Sequence, residues 1–315
     1  DITTFKICRR IVNGCGSFYG NIAEEAASLN GHRIFLVCDP ILAKLGLTEK
    51  TAALLREKGF EVAIHADVEP EPRVESVLAA SEQARAFGAD CVIGIGGGSS
   101  LDTAKTCSVL LGNQQDIREL YVIEKVSKPG APLILVPTSA GTGSEVTDIA
   151  ILSDEAAQLK MGIVSRHMLP ASVILDPELT LSLPKGPTAA SGMDALIHAM
   201  EAYTSIHATP LTDMWAEHAI ALIAPNLRKA WARGEDIQAR QAMLTGSFYA
   251  GVAFCNAGVT AVHAFAYPIG ARYHIPHGLA NTLMLLPVFR FNMVGNMERF
   301  ARLAAMLGEN TTGLT

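Results

Sequence analysis

The sequence predicts an α/β domain with a parallel sheet, followed by a mostly helical domain. Short apolar runs alternate with helical stretches through the first half of the chain, and a glycine cluster joins one buried run to a helix. Beyond about residue 177 the periodicity becomes helical, with little strand signal. Strands that alternate with helices are typical of a parallel sheet covered on both faces. We therefore place the α/β domain at residues 1–183 and the helical domain at 184–315.

The apolar runs and periodic segments define the individual elements. The predicted strands are 33–38, 61–66, 91–95 and 133–136, and the predicted helices of the first half are 49–58, 73–87 and one from about residue 101. Gly59 and Gly88 follow two of these helices, as glycine commonly does at a helix C-terminus. In the second half, residues 193–203, 212–224 and 237–254 carry helical periodicity.

Composition excludes several classes of protein. The 315 residues are 49% hydrophobic and 18% charged, as in ordinary globular proteins. A net charge of −6 without a basic block argues against a nucleic-acid partner. No apolar stretch reaches the roughly 20 residues of a membrane span. The N-terminus lacks a signal-peptide pattern and the six cysteines form no C-x-x-C pair, so we expect a cytoplasmic protein with reduced thiols.

The glycine cluster is the first candidate binding site. Residues 94–102 read GIGGGSSLD between a buried strand and a helix. Backbone N–H groups at Gly97 and Gly98 would be open to a pyrophosphate at the start of the helix, where the dipole favours an anion. Ser99 and Asp102 have the spacing of an N-cap and its capping-box partner. The spacing is not G-x-G-x-x-G, and a glycine-rich turn without a ligand is an equally good interpretation of this segment alone.

Two further segments follow predicted strands. Asp39 ends the strand at 33–38, where its carboxylate could bind a ribose and repel a 2′-phosphate, although Asp-Pro is also a common turn. Residues 137–145 read PTSAGTGSE, and the hydroxyl groups of Thr138, Ser139 and Thr142 could bind a polar ligand. The alternative for this loop is a flexible connection.

The strongest constellation lies in the helical half. Asp194 and His198 are four residues apart, so they share one face of a helix, and His263 and His277 follow. One carboxylate and several imidazoles suit Fe(II) or Zn(II), with room for a substrate oxygen. An isolated histidine is more often structural, but burying an unpaired Asp and His in an apolar helix is costly. On spacing alone, two other histidines compete for a ligand position, namely His218 and His274.

Taken together, these segments resemble the iron-containing (group III) alcohol dehydrogenase family. The resemblance runs from about Gly14 to Asn292, and its matching stretches are GGGS at 96–99 with Asp102 and Lys105, PTSAGTGSE at 137–145, GMDALIHAMEAY at 192–203, and His263 through PHGLAN at 276–281. It implies an N-terminal Rossmann-like nucleotide-binding domain and a C-terminal helical metal-binding domain, an architecture shared with dehydroquinate synthase.

The resemblance also implies a set of site residues. The implied metal ligands are Asp194, His198, His263 and His277, in preference to His218 and His274. The implied NAD-binding residues are Asp39, Gly97, Gly98, Ser99, Asp102, Thr138, Ser139, Thr142, Thr147 and Lys160.

Three positions depart from the family pattern. Many alcohol-oxidising members have a histidine four residues after the one matched by His263, whereas this chain has Tyr267, which we interpret as a pocket residue. Relatives often carry Asn near the cofactor where this chain has Glu71. The family usually continues for several helices beyond the position of Thr315, so the helical domain could be incomplete.

The resemblance implies reversible hydride transfer between NAD(H) and a small alcohol or aldehyde, with Fe(II), or alternatively Zn(II), as a Lewis acid. We expect the reaction in a cleft between the domains and a homo-oligomer, a dimer. One alternative is a hydroxyacid dehydrogenase or hydroxyacid–oxoacid transhydrogenase, which would need a basic group such as Lys185 or Arg272 in the pocket. Others are a dehydroquinate-synthase-like lyase, whose metal site resembles one Glu with two His, and a catalytically silent metal-binding protein.

Overall fold

The computed structural model describes residues 2–273 and 275–312. Its strands are β1 (Arg10–Asn13), β2 (Arg33–Val37), β3 (Glu61–His65), β4 (Cys91–Gly96), β5 (Val122–Ile123), β6 (Leu133–Pro137), β7 (Ile149–Asp154), β8 (Leu159–Val164) and β9 (Ser172–Leu175). Its helices are α1 (Ser17–Ser28), α2 (Pro40–Lys44), α3 (Leu47–Glu57), α4 (Val74–Phe87), α5 (Gly98–Gly112), α6 (Lys185–Thr204), α7 (Pro210–Ala232), α8 (Ile237–Ala257), α9 (Ala261–Tyr273), α10 (His277–Asn292) and α11 (Met297–Met306).

The main sheet has six strands in the order β1-β9-β6-β4-β2-β3, and every pairing is parallel. All residues of β4 and β6 are buried, which explains why both strands are continuous apolar runs in the sequence. On one face, Leu101 and Ala104 of α5 join Phe35, Val92 and Leu135 of the strands in one apolar cluster. The predicted Rossmann-like fold with a parallel sheet is confirmed.

A second sheet of three strands, in the order β5-β8-β7, was not predicted from the sequence. Strands β7 and β8 form an antiparallel hairpin, and β8 pairs with the two-residue strand β5 in parallel. Along β7, buried residues alternate with half-buried ones. This period of two is the usual signal of a strand with one covered face, but six residues of it are easily overlooked.

Helix α5 starts earlier than the sequence suggested. It begins at Gly98, its N-cap is Gly97 in an extended conformation, and no side chain caps it. The predicted capping box of Ser99 and Asp102 is therefore wrong. Two successive glycines let the chain turn into the helix at Gly98, which places Ser99 inside the first turn, and Asp102 bonds elsewhere.

Contacts among the described residues divide the chain into two compact units. The α/β unit comprises Ile7–Thr138 and Ser144–Asp176, and the helical unit comprises Asp1–Lys6, Ser139–Gly143 and Pro177–Thr315. The domain limits 1–183 and 184–315 remain a sequence-based prediction. In the helical unit, α6, α7 and α8 enclose a core to which Tyr203, Ile220 and Met243 contribute.

No single helix in the described part of the chain is long and apolar enough to cross a membrane. One pair of consecutive helical segments, Ile237–Ala257 and Ala261–Gly270, meets the length and composition criteria together, but the pair is bent by 105°.

Candidate metal centre and nucleotide-binding turn

Three helices of the helical unit carry the predicted metal ligands. Asp194 and His198 lie one turn apart on α6, and both are buried, as is His263 in the first turn of α9. His277 is the first residue of α10. Helix α10 can approach α6 closely because Gly278 has no side chain, and a Cβ there would lie 2.1 Å from the carbonyl oxygen of Ala190.

Asp194, His263 and His277 bring one ligand atom each to within 4.8 Å of one another. The Oδ1 atom of Asp194 lies 3.5 Å from His263 Nε2 and 3.7 Å from His277 Nε2. Two ligands bound at about 2.1 Å in tetrahedral geometry lie about 3.4 Å apart, so the observed spacing suits a transition metal. The donor set, one carboxylate oxygen with imidazole nitrogens, is that of Fe(II) or Zn(II).

Asn281 gives an independent indication that these atoms converge on a cation. Its amide nitrogen lies 2.7 Å from Asp194 Oδ1, 3.0 Å from His263 Nε2 and 3.2 Å from His277 Nε2. An amide has two hydrogens and cannot donate to three acceptors at once. The amide oxygen of Asn281 is buried and accepts no hydrogen bond from any described residue. One carboxylate oxygen and two ring nitrogens therefore surround the amide nitrogen of Asn281, and these residues are of the types that bind a metal ion.

Glu201 holds His263 from the opposite side of the ring. It is fully buried on α6, seven residues after Asp194, and its Oε2 accepts from Nδ1 of His263. Its Oε1 accepts from the backbone N–H groups of Thr260, at 2.8 Å, and Val262, at 3.0 Å, and from the hydroxyl group of Thr260. The buried charge is thus compensated by donors at the start of α9.

Burial and mutual charges set the ionisation of the cluster. Burial would raise the pKa of Asp194, but His198, His263 and His277 around it hold that pKa below its usual value. Burial lowers the pKa of His198 to about 4, although Asp194 opposes the shift. Burial also acts to lower the pKa of His263, but hydrogen bonds to Asp194 and Glu201 raise it to about 9. The carboxylate is therefore charged and His198 neutral, whereas His263 would have to release a proton on binding a metal, because an imidazole ligand must be deprotonated at its coordinating nitrogen.

His198 lies beside the three-residue group and is not part of it. Its ring stacks between Phe254, with centroids 4.2 Å apart, and His263, at 4.3 Å. Its Nδ1 lies 3.9 Å from Asp194 Oδ2 and 3.3 Å from the carbonyl oxygen of Gly141. The role of His198 as a fourth ligand stays a prediction.

Of the two competing histidines, His218 does not join this cluster. His218 is exposed on α7, and its Nδ1 lies 2.7 Å from the carbonyl oxygen of Met214 in the preceding turn. The other competitor, His274, lies outside the described residues.

Tyr267 lies at the exposed side of the cluster. Its segment is helical, as the predicted metal-facing position required, and its ring stacks on His277 with centroids 5.4 Å apart. Its predicted role as a pocket residue remains to be tested.

The basic residues proposed for a carboxylate-bearing substrate have aromatic partners. The Nζ of Lys185 lies over the ring of Trp231, and the guanidinium of Arg272 lies over that of Tyr273.

In the α/β unit, the glycine turn leads directly from β4 into α5. Gly96 has φ +148°, and a Cβ there would lie 2.5 Å from Ser100 Oγ. Both the backbone conformation and the lack of space therefore disfavour any residue with a side chain. The first N–H groups of α5, from Gly98 onward, have no carbonyl within the helix to bind. The turn has the geometry of an anion site at a helix N-terminus.

Asp39 lies next to this turn at the carboxyl edge of the sheet. Its Oδ1 accepts from the backbone N–H groups of Ile41 and Leu42 and so caps α2, which confirms the turn interpretation. Its Oδ2 lies 3.3 Å from the point where a Cβ of Gly96 would be. One oxygen thus faces the glycine turn, and a contact with a ribose stays a prediction.

Lys160 is linked to the same turn through Glu71. Its Nζ donates to Glu71 Oε1 at 2.6 Å, and the backbone N–H of Glu71 donates to Ser99 Oγ at 3.2 Å. Glu71 has φ +56°, a left-handed conformation that Asn adopts more readily than Glu. The backbone at position 71 therefore favours Asn, the residue that relatives often carry there.

Asp102 and Thr147 are bonded to the protein's own groups. Asp102 accepts from the hydroxyl group of Ser144 at 2.5 Å and from the N–H of Ile151 at 3.0 Å. Thr147 accepts from the buried ammonium group of Lys105 at 3.1 Å. These bonds attach α5 to the segment after the hydroxyl-rich loop, and direct contacts of either residue with a cofactor stay predictions.

The hydroxyl-rich loop at 137–145 follows β6, as predicted, and the backbone N–H of Thr138 donates to the carbonyl oxygen of Gly96 at 3.0 Å. Thr138 is thus fixed beside the glycine turn. For Ser139 and Thr142 in the same loop, binding of a cofactor remains a prediction.

Sequence reasoning missed Glu201, Thr260 and Asn281. Signals for two of them were present. Glu201 is a charged residue in an apolar helix at the i+7 position from Asp194, on the same face. Asn281 follows His277 by one helical turn. Nothing in the sequence marks Thr260, because its contact with Glu201 joins residues 59 positions apart.

Comparison with known proteins agrees with this geometry. Residues 8–177 match the family described as iron-containing alcohol dehydrogenase, and residues 188–315 match its C-terminal family. Long-chain-alcohol dehydrogenase 1 of Geobacillus thermodenitrificans is 44% identical over 93% of this chain and 75% of its own length.

Solved structures agree as well. A crystal structure of a 1,3-propanediol oxidoreductase superposes with a TM-score of 0.97 at 40% identity, over 100% of this chain and 82% of that one. The NAD+ complex of sulfoacetaldehyde reductase from Bifidobacterium kashiwanohense superposes with a TM-score of 0.87 at 29% identity, over 99% of this chain and 87% of that one. The chain belongs to the iron-containing alcohol dehydrogenase family and is an oxidoreductase.

Proposed function

We propose that the protein transfers hydride reversibly between NAD(H) and a small alcohol or aldehyde, at a metal centre formed by Asp194, His198, His263 and His277. The observation that carries the proposal is that one carboxylate oxygen and two imidazole nitrogens, from Asp194, His263 and His277, lie within 4.8 Å of one another. Family membership supports the reaction class, because its relatives are named as alcohol, propanediol and sulfoacetaldehyde oxidoreductases.

A cation held by these residues would supply Lewis acidity toward the substrate's oxygen, and NAD bound at the glycine turn would be the hydride acceptor. Asp194 brings the negative charge of the ligand set, which offsets part of the charge of a divalent ion. His277 is 31% exposed at its side chain, against 3% for Asp194 and 2% for His263. The centre is thus accessible on the His277 side, where Tyr267 can contact a small substrate.

The glycine turn supports NAD as the cofactor. Gly97 and Gly98 expose backbone donors for a pyrophosphate, and Ser99 in the first turn of α5 adds a hydroxyl group. Asp39 beside the turn favours a free ribose 2′-hydroxyl over a 2′-phosphate, since its carboxylate would repel the added charge. The other implied contacts are with Asp102, Thr138, Ser139, Thr142, Thr147 and Lys160.

A hydroxyacid substrate is less well supported. Lys185 and Arg272, which would bind its carboxylate, lie over aromatic rings instead. The family matches favour a dehydrogenase over a dehydroquinate-synthase-like lyase. A dimeric state and a cytoplasmic location remain predictions from the sequence.

The proposal is tested on protein purified without oxygen and loaded with Fe(II) or Zn(II). Loaded protein should reduce NAD with short alcohols and oxidise NADH with aldehydes, and lactate-type hydroxyacids should be poor substrates. Bound metal without turnover of any alcohol or aldehyde would favour a silent metal-binding protein. Turnover of hydroxyacids alone would favour the transhydrogenase-type alternative.

A further inference from the structure

Resting on the proposed metal centre, we infer that Glu201 is a positioning residue which fixes His263 in the tautomer that binds the metal. Glu201 touches neither substrate nor metal in this assignment. It acts through the imidazole ring, whose two nitrogens face opposite sides: Nδ1 faces Glu201, and Nε2 faces Asp194 and Asn281.

The hydrogen bonds of Glu201 indicate which atom of each bonded pair carries the proton. Oε1 of Glu201 accepts from two backbone N–H groups and one hydroxyl group, and such donors favour the charged carboxylate. A charged carboxylate only accepts, so the proton between Oε2 and the ring belongs to Nδ1 of His263. The lone pair of the neutral ring then lies on Nε2, the atom that faces the metal-ligand group.

The same carboxylate also fixes where the ring stands. By binding the N–H groups of Thr260 and Val262, Glu201 holds the start of α9, and His263 follows at once in that helix. Because Glu201 and Asp194 both belong to α6, one rigid element carries a ligand and the residue that orients a second ligand. Carboxylates that accept the second N–H of a metal-bound histidine typically strengthen metal binding 10- to 100-fold.

Glu201→Gln separates this role from simple packing. The glutamine can keep its oxygen toward Thr260 and Val262, but its amide then donates to Nδ1 of His263. Such a bond places the ring proton on Nε2, and a protonated Nε2 cannot bind a metal. We expect the affinity for Zn(II), measured by chelator competition on the full chain, to fall about 10- to 100-fold with an unchanged circular dichroism spectrum.

Three matched variants complete the experiment. Glu217→Gln makes the same change at an exposed site on α7 and should leave zinc affinity unchanged. Thr260→Val removes one donor to Oε1 but leaves the contact with the ring, so zinc affinity should change less than about threefold. His263→Ala tests the centre itself: if it binds zinc like the wild type, the proposed centre is wrong. If His263→Ala loses zinc while Glu201→Gln does not, only the role of Glu201 is wrong.

A spectroscopic measurement on the wild type decides the matter even if Glu201→Gln does not fold. In zinc-loaded protein with 15N-labelled histidine, His263 should carry its proton on Nδ1, in slow exchange with water, and bind zinc through Nε2. A proton on Nε2, or an equal loss of zinc affinity in Thr260→Val and Glu201→Gln, would overturn the inference. The second result would show that Glu201 only caps α9.

Discussion

At the scale of single residues, Asp39 combines a structural bond with a proposed role in cofactor choice. Because Oδ1 caps α2, replacing Asp39 by Gly removes both the cap of this helix and the negative charge beside the glycine turn. Asp39→Asn keeps an oxygen for the cap and removes the charge, so we expect kcat/KM for NADP to rise at least about tenfold relative to NAD, since like charges near 4 Å repel by about 1–4 kcal/mol. Asp39→Gly should show the same shift with slightly lower stability. If neither variant changes the ratio, Asp39 is only a turn residue.

His198 is the ligand that the structure leaves least defined. Removing its ring in His198→Ala should weaken metal binding at least about tenfold and abolish most activity, while NAD binding stays intact because the glycine turn is unchanged. Metal content by elemental analysis and NAD affinity by fluorescence titration measure the two effects. A variant that is fully metallated and active would restrict the centre to Asp194, His263 and His277.

Tyr267 stacks on His277 and occupies the position at which many relatives have histidine. Its pKa in model peptides is about 10, against about 6.5 for histidine, so it is a poor base at neutral pH. We expect Tyr267→Phe to change KM or substrate preference more than the pH profile. Tyr267→His should add a limb to the pH–rate curve near neutrality. Unchanged kinetics in both variants would mean that Tyr267 only fills space.

Much of the site was predictable from residue types and spacing. An Asp and a His one helical turn apart are recognisable in sequence, as are consecutive glycines after an apolar strand. Among the supporting residues, Thr260 was not recognisable, because its role comes from a contact between distant parts of the chain. The spacing of Glu201 and Asn281 places them on the helix faces of two ligands, but only the fold shows that they lie on opposite sides of His263.

At the scale of elements, the close approach of α10 to α6 controls the spacing of the ligands. A Cβ at Gly278 would lie 2.1 Å from a backbone oxygen of α6, which cannot move aside easily. Gly278→Ala should therefore displace α10 with His277, destabilise the protein by about 1–3 kcal/mol and weaken metal binding. Chemical denaturation and metal titration measure these effects.

Gly186→Ala is the matched control on α6. A Cβ at this exposed position meets nothing within 4 Å, so the change should be neutral or stabilise the helix by up to about 1 kcal/mol. If Gly278→Ala behaved like Gly186→Ala in both stability and metal affinity, the close approach would not control the centre.

Element prediction succeeded where segments are long or wholly apolar. Four of the six strands of the main sheet (β2, β3, β4 and β6) and the helices α3 and α4 were predicted within two residues of their bounds, whereas the four-residue strands β1 and β9 were not predicted. The hairpin of β7 and β8 escaped notice because its strands are partly polar and only partly buried, unlike the wholly apolar strands β4 and β6. The start of α5 was misplaced because a glycine-rich helix start has the composition of a loop.

At the scale of the whole molecule, the glycine turn and the proposed metal ligands belong to different units. The glycine turn lies in the α/β unit, and every proposed metal ligand lies in the helical unit. The change from strand–helix alternation to pure helical periodicity revealed this division in the sequence. It could not reveal that residues 139–143 group with the helical unit, because such grouping depends on contacts far apart in sequence.

The central claim is that the cluster at Asp194 binds the metal ion on which the oxidoreductase depends. It is tested most directly by titrating metal-free protein with Fe(II) under nitrogen while measuring NAD-dependent alcohol oxidation on the same samples. For the wild type, we predict activity that rises in proportion to bound iron and stops rising at one ion per chain. Asp194→Asn should show neither tight binding nor activity. Full activity of the wild type without metal, or a wild-type titration curve in Asp194→Asn, would contradict the claim.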